Sequence, residues 1–258
     1  MNELFTDIPY YDADMPIDND REYALERCKL DVYTPSRNGR HPVVVFYHGG
    51  GMTGGGKCIP ENLMNSGLVV VAANYRFSCE RAKCPDYIND AAAALAWTFR
   101  HIAEYGGDSS KITITGGSAG AYLAAMIGMD SQWLARFGCN NRDIFLIAPI
   151  SGQMTTHFQI INERLGTKQN IPDHAVIDEF APIWHAAKEL PPIALYTGDL
   201  DLDWPSRPQE NLLLAATLKN IKGHTDTTCI NIPGFCHGDV YPTAYLLIKK
   251  KIESLLAN

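Results

Sequence analysis

Short apolar runs that alternate with helix-length segments constrain the fold of this chain more than any other feature. Most residues of these runs are apolar. Strands of this kind must be covered on both faces, as helices cover the strands of parallel sheets. Alternation over the whole length predicts a doubly wound, mostly parallel α/β sheet flanked by helices. The predicted strands are Val43–Tyr47, Leu68–Asn74, Ile112–Thr115, Ile144–Ile150, Ile193–Thr197 and Cys229–Ile232.

Helical patterns fill the intervals, and two regions depart from the alternation. Residues 1–30 are irregular, and the LDVYTP segment that follows is predicted to add antiparallel edge strands. Residues from about 153 to 188 interrupt the alternation and are interpreted as a small cap insertion over the sheet. We therefore predict a single domain over residues 1–258. The predicted helices are Asp90–Tyr105, Ala119–Met129, Gln209–Ile221 and Tyr241–Leu256.

Composition and charge narrow the class of protein. Hydrophobic residues make up 46% and charged residues 20%, which indicates a folded globular chain rather than a disordered one. A net charge of −7 argues against nucleic acid or anionic membrane as a partner. No stretch reaches the ~20 apolar residues of a membrane span, and the start lacks the pattern of a signal peptide. We expect a cytoplasmic protein, or a secreted or periplasmic one whose signal has been removed; no oligomeric state is predicted.

The seven cysteines give no sign of a metal or redox site. Their spacing contains no C-x-x-C, which argues against a zinc or thioredoxin-type centre. Free thiols are the simplest interpretation. A loop disulfide between Cys79 and Cys84 in an oxidising compartment is the alternative.

The strongest functional signal is the segment Gly116–Gly120, GGSAG, which fits the pattern G-x-S-x-G. A predicted strand precedes it and a predicted helix follows. Ser118 therefore lies on a sharp strand-to-helix turn at the carboxyl end of the sheet. The N-terminus of the helix favours negative charge beside the serine. We predict that Ser118 is a nucleophile and that the backbone N–H of Ala119 contributes to an oxyanion hole.

A second glycine motif, HGGG at His48–Gly51, follows the predicted strand VVVFY directly. Glycines allow backbone N–H groups to approach an acyl oxygen closely, so Gly50 and Gly51 are predicted oxyanion donors. His48 is predicted to order this loop through side-chain hydrogen bonds. The alternative of a phosphate-binding loop is weak, because the lysine that follows is not succeeded by Ser or Thr.

Together, HGGG, a helix ending in YGGD, and then GGSAG resemble the α/β-hydrolase superfamily. Within it the chain looks like the HGGG-type esterases and lipases, namely the hormone-sensitive-lipase-like group and bacterial acetyl-xylan or feruloyl esterases. The resemblance covers roughly residues 28–257. It implies the α/β-hydrolase fold, a small-molecule ester substrate, and no metal or organic cofactor. One departure is Gly117, which stands where many hormone-sensitive-lipase-like members carry Asp, so the subfamily and its substrate stay open.

The resemblance also orders the remaining catalytic residues after the serine. The base belongs in the loop after the last strand, where His237 lies. The acid belongs after the penultimate strand, where Asp199, Asp201 and Asp203 compete in the sequence GDLDLD. The G-x-x-D pattern of related hydrolases selects Asp201, with the other two as alternatives. The histidines that do not match the base position are His41, His48, His101, His157, His174, His185 and His224.

We therefore expect a serine carboxylic-ester hydrolase that acts through an acyl-enzyme on short-chain esters, with acetylated or feruloylated carbohydrates as a candidate class. The 153–188 segment mixes polar and apolar residues and lacks the long amphipathic helix of an interfacial lipase lid. Trp204 and Tyr241 are candidates to line a sugar or aromatic-acyl pocket, with ordinary packing as the alternative. Two other functions stay open: an arylformamidase-like amide hydrolase, and a non-catalytic ligand-binding member of the fold.

Overall fold

A single eight-stranded sheet organises the computed structural model, which describes residues 2–257. The strand order is β1-β2-β4-β3-β5-β6-β7-β8. Strands β3 to β8 run parallel, whereas β1 pairs antiparallel with β2, and β2 with β4. The predicted mostly parallel sheet and its antiparallel edge are thus confirmed. The strands are β1 (Glu3–Pro9), β2 (Lys29–Thr34), β3 (His41–Tyr47), β4 (Val69–Ala73), β5 (Gly107–Gly117), β6 (Leu146–Ile150), β7 (Ile193–Thr197) and β8 (Thr227–Asn231).

Helices cover both faces of this sheet. Most lie where the helical patterns predict, and α3 has the predicted bounds. The segment between β6 and β7, where the cap insertion is predicted, contains α5 and a 3-10 turn at Pro182–His185. No helix within residues 2–257 is long and apolar enough to cross a bilayer. The helices are α1 (Arg21–Arg27), α2 (Asp86–His101), α3 (Ala119–Met129), α4 (Ser131–Ala135), α5 (Phe158–Leu165), α6 (Arg207–Ala216) and α7 (Tyr241–Leu256).

The apolar strands contribute side chains to two hydrophobic cores, one on each face of the sheet. Successive side chains of a strand point to opposite faces. In β3, Val43 and Val45 join the core that contains α2 and α3. Val44 and Phe46 join the core that contains α7. A strand in this position needs apolar residues throughout, which is why the sequence shows continuous runs rather than alternation.

Helix α2 begins four residues before its predicted start at Asp90, because its polar first turn is buried. The Arg76 side chain is fully buried, and its Nε and Nη2 atoms each lie 2.8 Å from an oxygen of Asp90. Asp86 lies 3.8 Å from the same guanidinium, and the Tyr11 hydroxyl donates to Asp90 at 2.5 Å. These contacts tie the N-terminal segment to the body of the fold. Because charged residues are usually exposed, the sequence pattern alone predicts a helix start that is too late.

All seven cysteines are free within the described residues, with Cys79 exposed and Cys84 half-buried. The alternative of a loop disulfide between them is therefore not realised in this structure.

Candidate active site

Ser118 occupies a strained turn between β5 and α3. Its backbone angles are φ 53° and ψ −115°, a region that residues with a side chain rarely adopt. The Ser118 N–H donates to the carbonyl of Ile150 at 2.9 Å, which fixes the turn against the end of β6. The serine therefore lies at the carboxyl edge of the sheet, as the strand–GGSAG–helix pattern predicts.

Gly117 leaves space that an aromatic ring fills. A Cβ atom at this position would overlap the ring of Tyr241, the first residue of α7. The Asp of the GDSAG pattern has no room here while Tyr241 keeps its place. The position of Tyr241 therefore explains why glycine stands here in place of the Asp of that pattern.

The glycine loop after β3 lies beside the serine. Gly50 and Gly51 have φ angles of 112° and 62°, and a Cβ atom at Gly50 would overlap the backbone of Gly54. Gly50, Gly51 and Ser118 line the same cavity. The N–H groups of Gly50, Gly51 and Ala119 have no backbone acceptor among residues 2–257. The backbone thus leaves these three predicted donors without an acceptor, and Gly50 and Gly51 line the cavity.

The His48 side chain contacts the backbone of this loop and a neighbouring aromatic ring. Its Nδ1 atom lies 2.7 Å from the carbonyl oxygen of Gly49, and its ring stacks on Tyr75 with the centroids 4.3 Å apart. The Tyr75 hydroxyl donates to the His48 carbonyl at 2.9 Å. Burial lowers the pKa of His48 to about 4, so the imidazole is neutral at pH 7. The predicted side-chain hydrogen bond is present, and stacking adds to it.

His237 contacts Asp203. Its Nδ1 atom lies 2.7 Å from Asp203 Oδ1, and the Asp203 side chain is fully buried. Ser151 Oγ and the Gly198 N–H donate to Asp203 Oδ2 at 2.6 and 2.8 Å, and the Trp204 N–H donates to Oδ1 at 2.6 Å. Burial alone would raise the pKa of Asp203, but these hydrogen bonds outweigh it and hold that pKa below its ordinary value. The pair thus has the geometry of an ionised acid that orients an imidazole.

The prediction of Asp201 as the partner of the histidine is wrong in the structure, which places the alternative Asp203 there. After β7 the loop curls into one turn, in which the Asp203 N–H donates to the Asp199 carbonyl at 3.1 Å. This turn brings Asp203 back over the strand end and leaves Asp201 exposed to solvent. Asp199 braces the loop by accepting from the N–H groups of Asp201 and Gly234. The G-x-x-D pattern of related hydrolases therefore selects the wrong aspartate in this loop.

A cavity of about 400 Å³ joins these groups. Ser118 and His237 both line it, which brings the predicted nucleophile and base together. Trp204, Tyr241 and Phe158 contribute aromatic surface to this cavity, and a sugar or aromatic acyl group as its ligand stays a prediction. This volume is typical of a site for a small ligand.

The cavity also has polar residues that sequence reasoning did not single out. They include Gln159 and Asn170 from the cap segment and Arg207 from the start of α6. Ser151 was missed as well, because its contact with Asp203 spans 52 positions and no local motif marks it. A larger depression of about 580 Å³ lies at the opposite end of the sheet around Arg142 and has no histidine in its lining. No cluster of three or more metal-binding side chains occurs in the described part of the chain.

Comparisons with known proteins agree with this architecture. Residues 30–215 match the family model BD-FAE. A probable carboxylic ester hydrolase of Mycobacterium tuberculosis, LipM, is 32% identical over 183 residues, which are 63% of this chain and 42% of LipM. The chain thus spans less than half the length of that relative.

Two solved structures superpose over nearly the whole chain. A truncated carbohydrate esterase from gut microbiota has a TM-score of 0.78 at 18% identity and covers 99% of this chain and 97% of its own. The butyrate-bound esterase Est2 of Thermogutta terrifontis has a TM-score of 0.72 at 22% identity, with 97% and 94% covered. At these identities the likeness establishes the fold, an eight-stranded sheet arranged as in these esterases.

Proposed function

This chain belongs to the BD-FAE family, an α/β-hydrolase esterase family, and we propose that it is a serine carboxylic-ester hydrolase that works through an acyl-enzyme. The predicted resemblance to the α/β-hydrolase superfamily is thereby confirmed. The observation that carries the proposal is the convergence of Ser118, His237 and the glycine loop on one cavity, with Asp203 behind the histidine. We further infer that residues 1–258 act as one hydrolase domain with a small cap over about 153–188.

In this proposal Ser118 attacks the ester carbonyl while His237 takes its proton through Nε2. Asp203 holds the other ring nitrogen, Nδ1, as the donor and stabilises the imidazolium that forms. The N–H groups of Gly50, Gly51 and Ala119 bind the oxyanion. Each such donor typically contributes ~10²–10³ in rate. His237 then returns the proton to the departing alcohol, and water hydrolyses the acyl-enzyme by the same steps.

The cavity supports esters with short acyl groups. Its volume of about 400 Å³ suits a small acyl and alcohol pair, and three aromatic side chains provide flat apolar surface. Gln159 and Asn170 add amide groups suited to hydroxyl-rich alcohols. Acylated carbohydrates fit this combination, and a carbohydrate esterase and a butyrate-bound esterase share the fold. Amide hydrolysis by the same residues, as in an arylformamidase, is the second candidate.

The test is hydrolysis of para-nitrophenyl acetate by the purified protein and by Ser118→Ala. We expect the variant to lose activity to near background while its thermal unfolding is unchanged, because it lacks only the nucleophile. Ser110→Ala is the matched control, since Ser110 lies near the start of β5, at the opposite end of the sheet from the cavity. Near-normal activity of the Ser118 variant would overturn the proposed function.

A further inference from the structure

Arg207 is a buried cation that ester hydrolysis does not require. Only 4% of its surface is exposed, and it lines the cavity that holds Ser118 and His237. Burial lowers the pKa of the Arg207 guanidinium, which Glu210 and Asp203 partly offset, but arginine stays charged at neutral pH. Placing such a charge inside a protein is costly unless partners compensate it.

The partners of Arg207 leave much of its guanidinium unused. Nη1 donates to Glu210 Oε1 at 3.3 Å, and Nη2 donates to Gln153 Oε1 at 3.1 Å. A guanidinium has five N–H donors. The Nε–H has no acceptor among residues 2–257, and protein atoms do not enclose Nε completely. Arg207 lines the cavity, and a ligand bound there would meet this donor without a protein acceptor.

The Glu210 carboxylate makes most of its hydrogen bonds with groups other than Arg207, and Glu210 does not line the cavity. Its Oε2 accepts from the N–H groups of Met154 and Thr155 at 2.8 and 3.0 Å, and from the Thr155 hydroxyl at 3.0 Å. Its Oε1 accepts from the Ser206 hydroxyl at 2.5 Å. The carboxylate thus anchors the turn after β6, and its contact with Arg207 is single and long. None of the described residues that line the cavity is acidic.

We infer that Arg207 determines specificity for esters that carry a second, ionised carboxylate. The inference rests on the proposed ester hydrolysis at Ser118. A guanidinium edge matches the two oxygens of a carboxylate, and such charge-assisted bonds are stronger than neutral ones. The carboxylate belongs either to the acyl group, as in a half-ester of a dicarboxylic acid, or to the alcohol, as in an acylated hydroxy acid or uronic acid. Both sources present the same anion to Arg207.

Two matched pairs of esters test this selectivity and distinguish the sources. For the acyl side, kcat/KM is compared between mono-para-nitrophenyl adipate and para-nitrophenyl hexanoate. For the alcohol side, para-acetoxybenzoate is compared with para-acetoxybenzamide. In at least one pair we expect the carboxylate ester to be preferred by about tenfold or more. A neutral ester that is equal or better in both pairs overturns the inference.

Variants then assign the preference to the guanidinium. We expect Arg207→Gln to reduce the preference for the carboxylate ester about 10- to 100-fold, and Arg207→Lys to reduce it less, since lysine keeps the charge without the planar fork. Arg142→Gln makes the same change in net charge at an exposed site far from the cavity and should keep the preference. A preference that survives Arg207→Gln contradicts the inference.

Two further measurements keep the inference separate from folding and from the proposed function. In the single variant the buried Glu210 carboxylate would lose its positively charged partner. If thermal unfolding shows that this variant is unfolded, the double variant Arg207→Gln with Glu210→Gln, which removes both buried charges, replaces it. If the native protein hydrolyses none of the esters, the proposed function fails. Calorimetric binding of benzoate against benzamide then decides the inference, which predicts that native protein prefers benzoate and that the glutamine variant does not.

Discussion

At the scale of single residues, some residues of the site are predictable from the sequence around them, whereas others are placed there by contacts that form only in the folded chain. Ser118 and His237 carry local signals, a glycine-flanked serine and a histidine after the last strand, and the structure brings both to one cavity. No local signal separates Asp203 from Asp199 and Asp201, because the turn of the loop decides which aspartate faces inward. Arg207 and Ser151 are held at the site by contacts with residues more than fifty positions away, which no local pattern predicts.

The acid gives a residue-scale prediction with a control built into the same loop. We expect Asp203→Asn to lower kcat by ~10³–10⁴, because the amide favours the wrong tautomer of the imidazole. Asp201→Asn makes the same chemical change on an exposed side chain two positions earlier and should alter kcat only a few-fold. The measurement is kcat for para-nitrophenyl acetate, with thermal unfolding to check each fold. A crippled Asp201 variant beside an active Asp203 variant would contradict the observed pairing.

At the scale of elements, strands and helices are predictable where each carries its own periodicity. Helix α3 has the predicted bounds, because it is apolar throughout and follows the glycine turn directly. The helix predicted over Gln209–Ile221 is instead α6, which begins at Arg207 and continues into a wider turn at Thr217–Lys222. The helix starts two residues before the predicted Gln209, at Arg207, which is buried although it is charged. Burial of a polar residue by tertiary contacts is invisible to hydrophobic periodicity.

The cap gives an element-scale prediction about acyl length. Helix α5 has only eight residues, of which Phe158 and Gln159 line the cavity. Each methylene that a channel buries is worth ~0.8 kcal/mol. A cavity of about 400 Å³ cannot keep burying methylenes along a long chain. We expect kcat/KM for para-nitrophenyl esters to be highest between acetate and butyrate and to stop rising beyond hexanoate.

The series from acetate to palmitate measures this directly, with spontaneous hydrolysis of each ester subtracted. A kcat/KM that climbs steadily beyond octanoate would show that a long apolar channel exists, and the short-acyl proposal would be wrong.

At the scale of the whole molecule, the site is a consequence of parallel strands. The glycine loop follows β3, Ser118 follows β5, Ser151 follows β6, Asp203 follows β7 and His237 follows β8. Because parallel strands end at one edge, residues scattered along the chain meet there. The alternation of apolar runs predicts this convergence. It does not predict the side-chain contacts within the site, since those depend on how each loop curls.

Covalent labelling tests the central claim, that Ser118 is the activated nucleophile of an esterase, most directly. The native protein is treated with a fluorophosphonate, digested, and examined by mass spectrometry for the modified residue. We predict one adduct, on Ser118, whose rate of formation falls steeply in Asp203→Asn. Labelling at another residue, or none under conditions that modify a known serine esterase, would contradict the account.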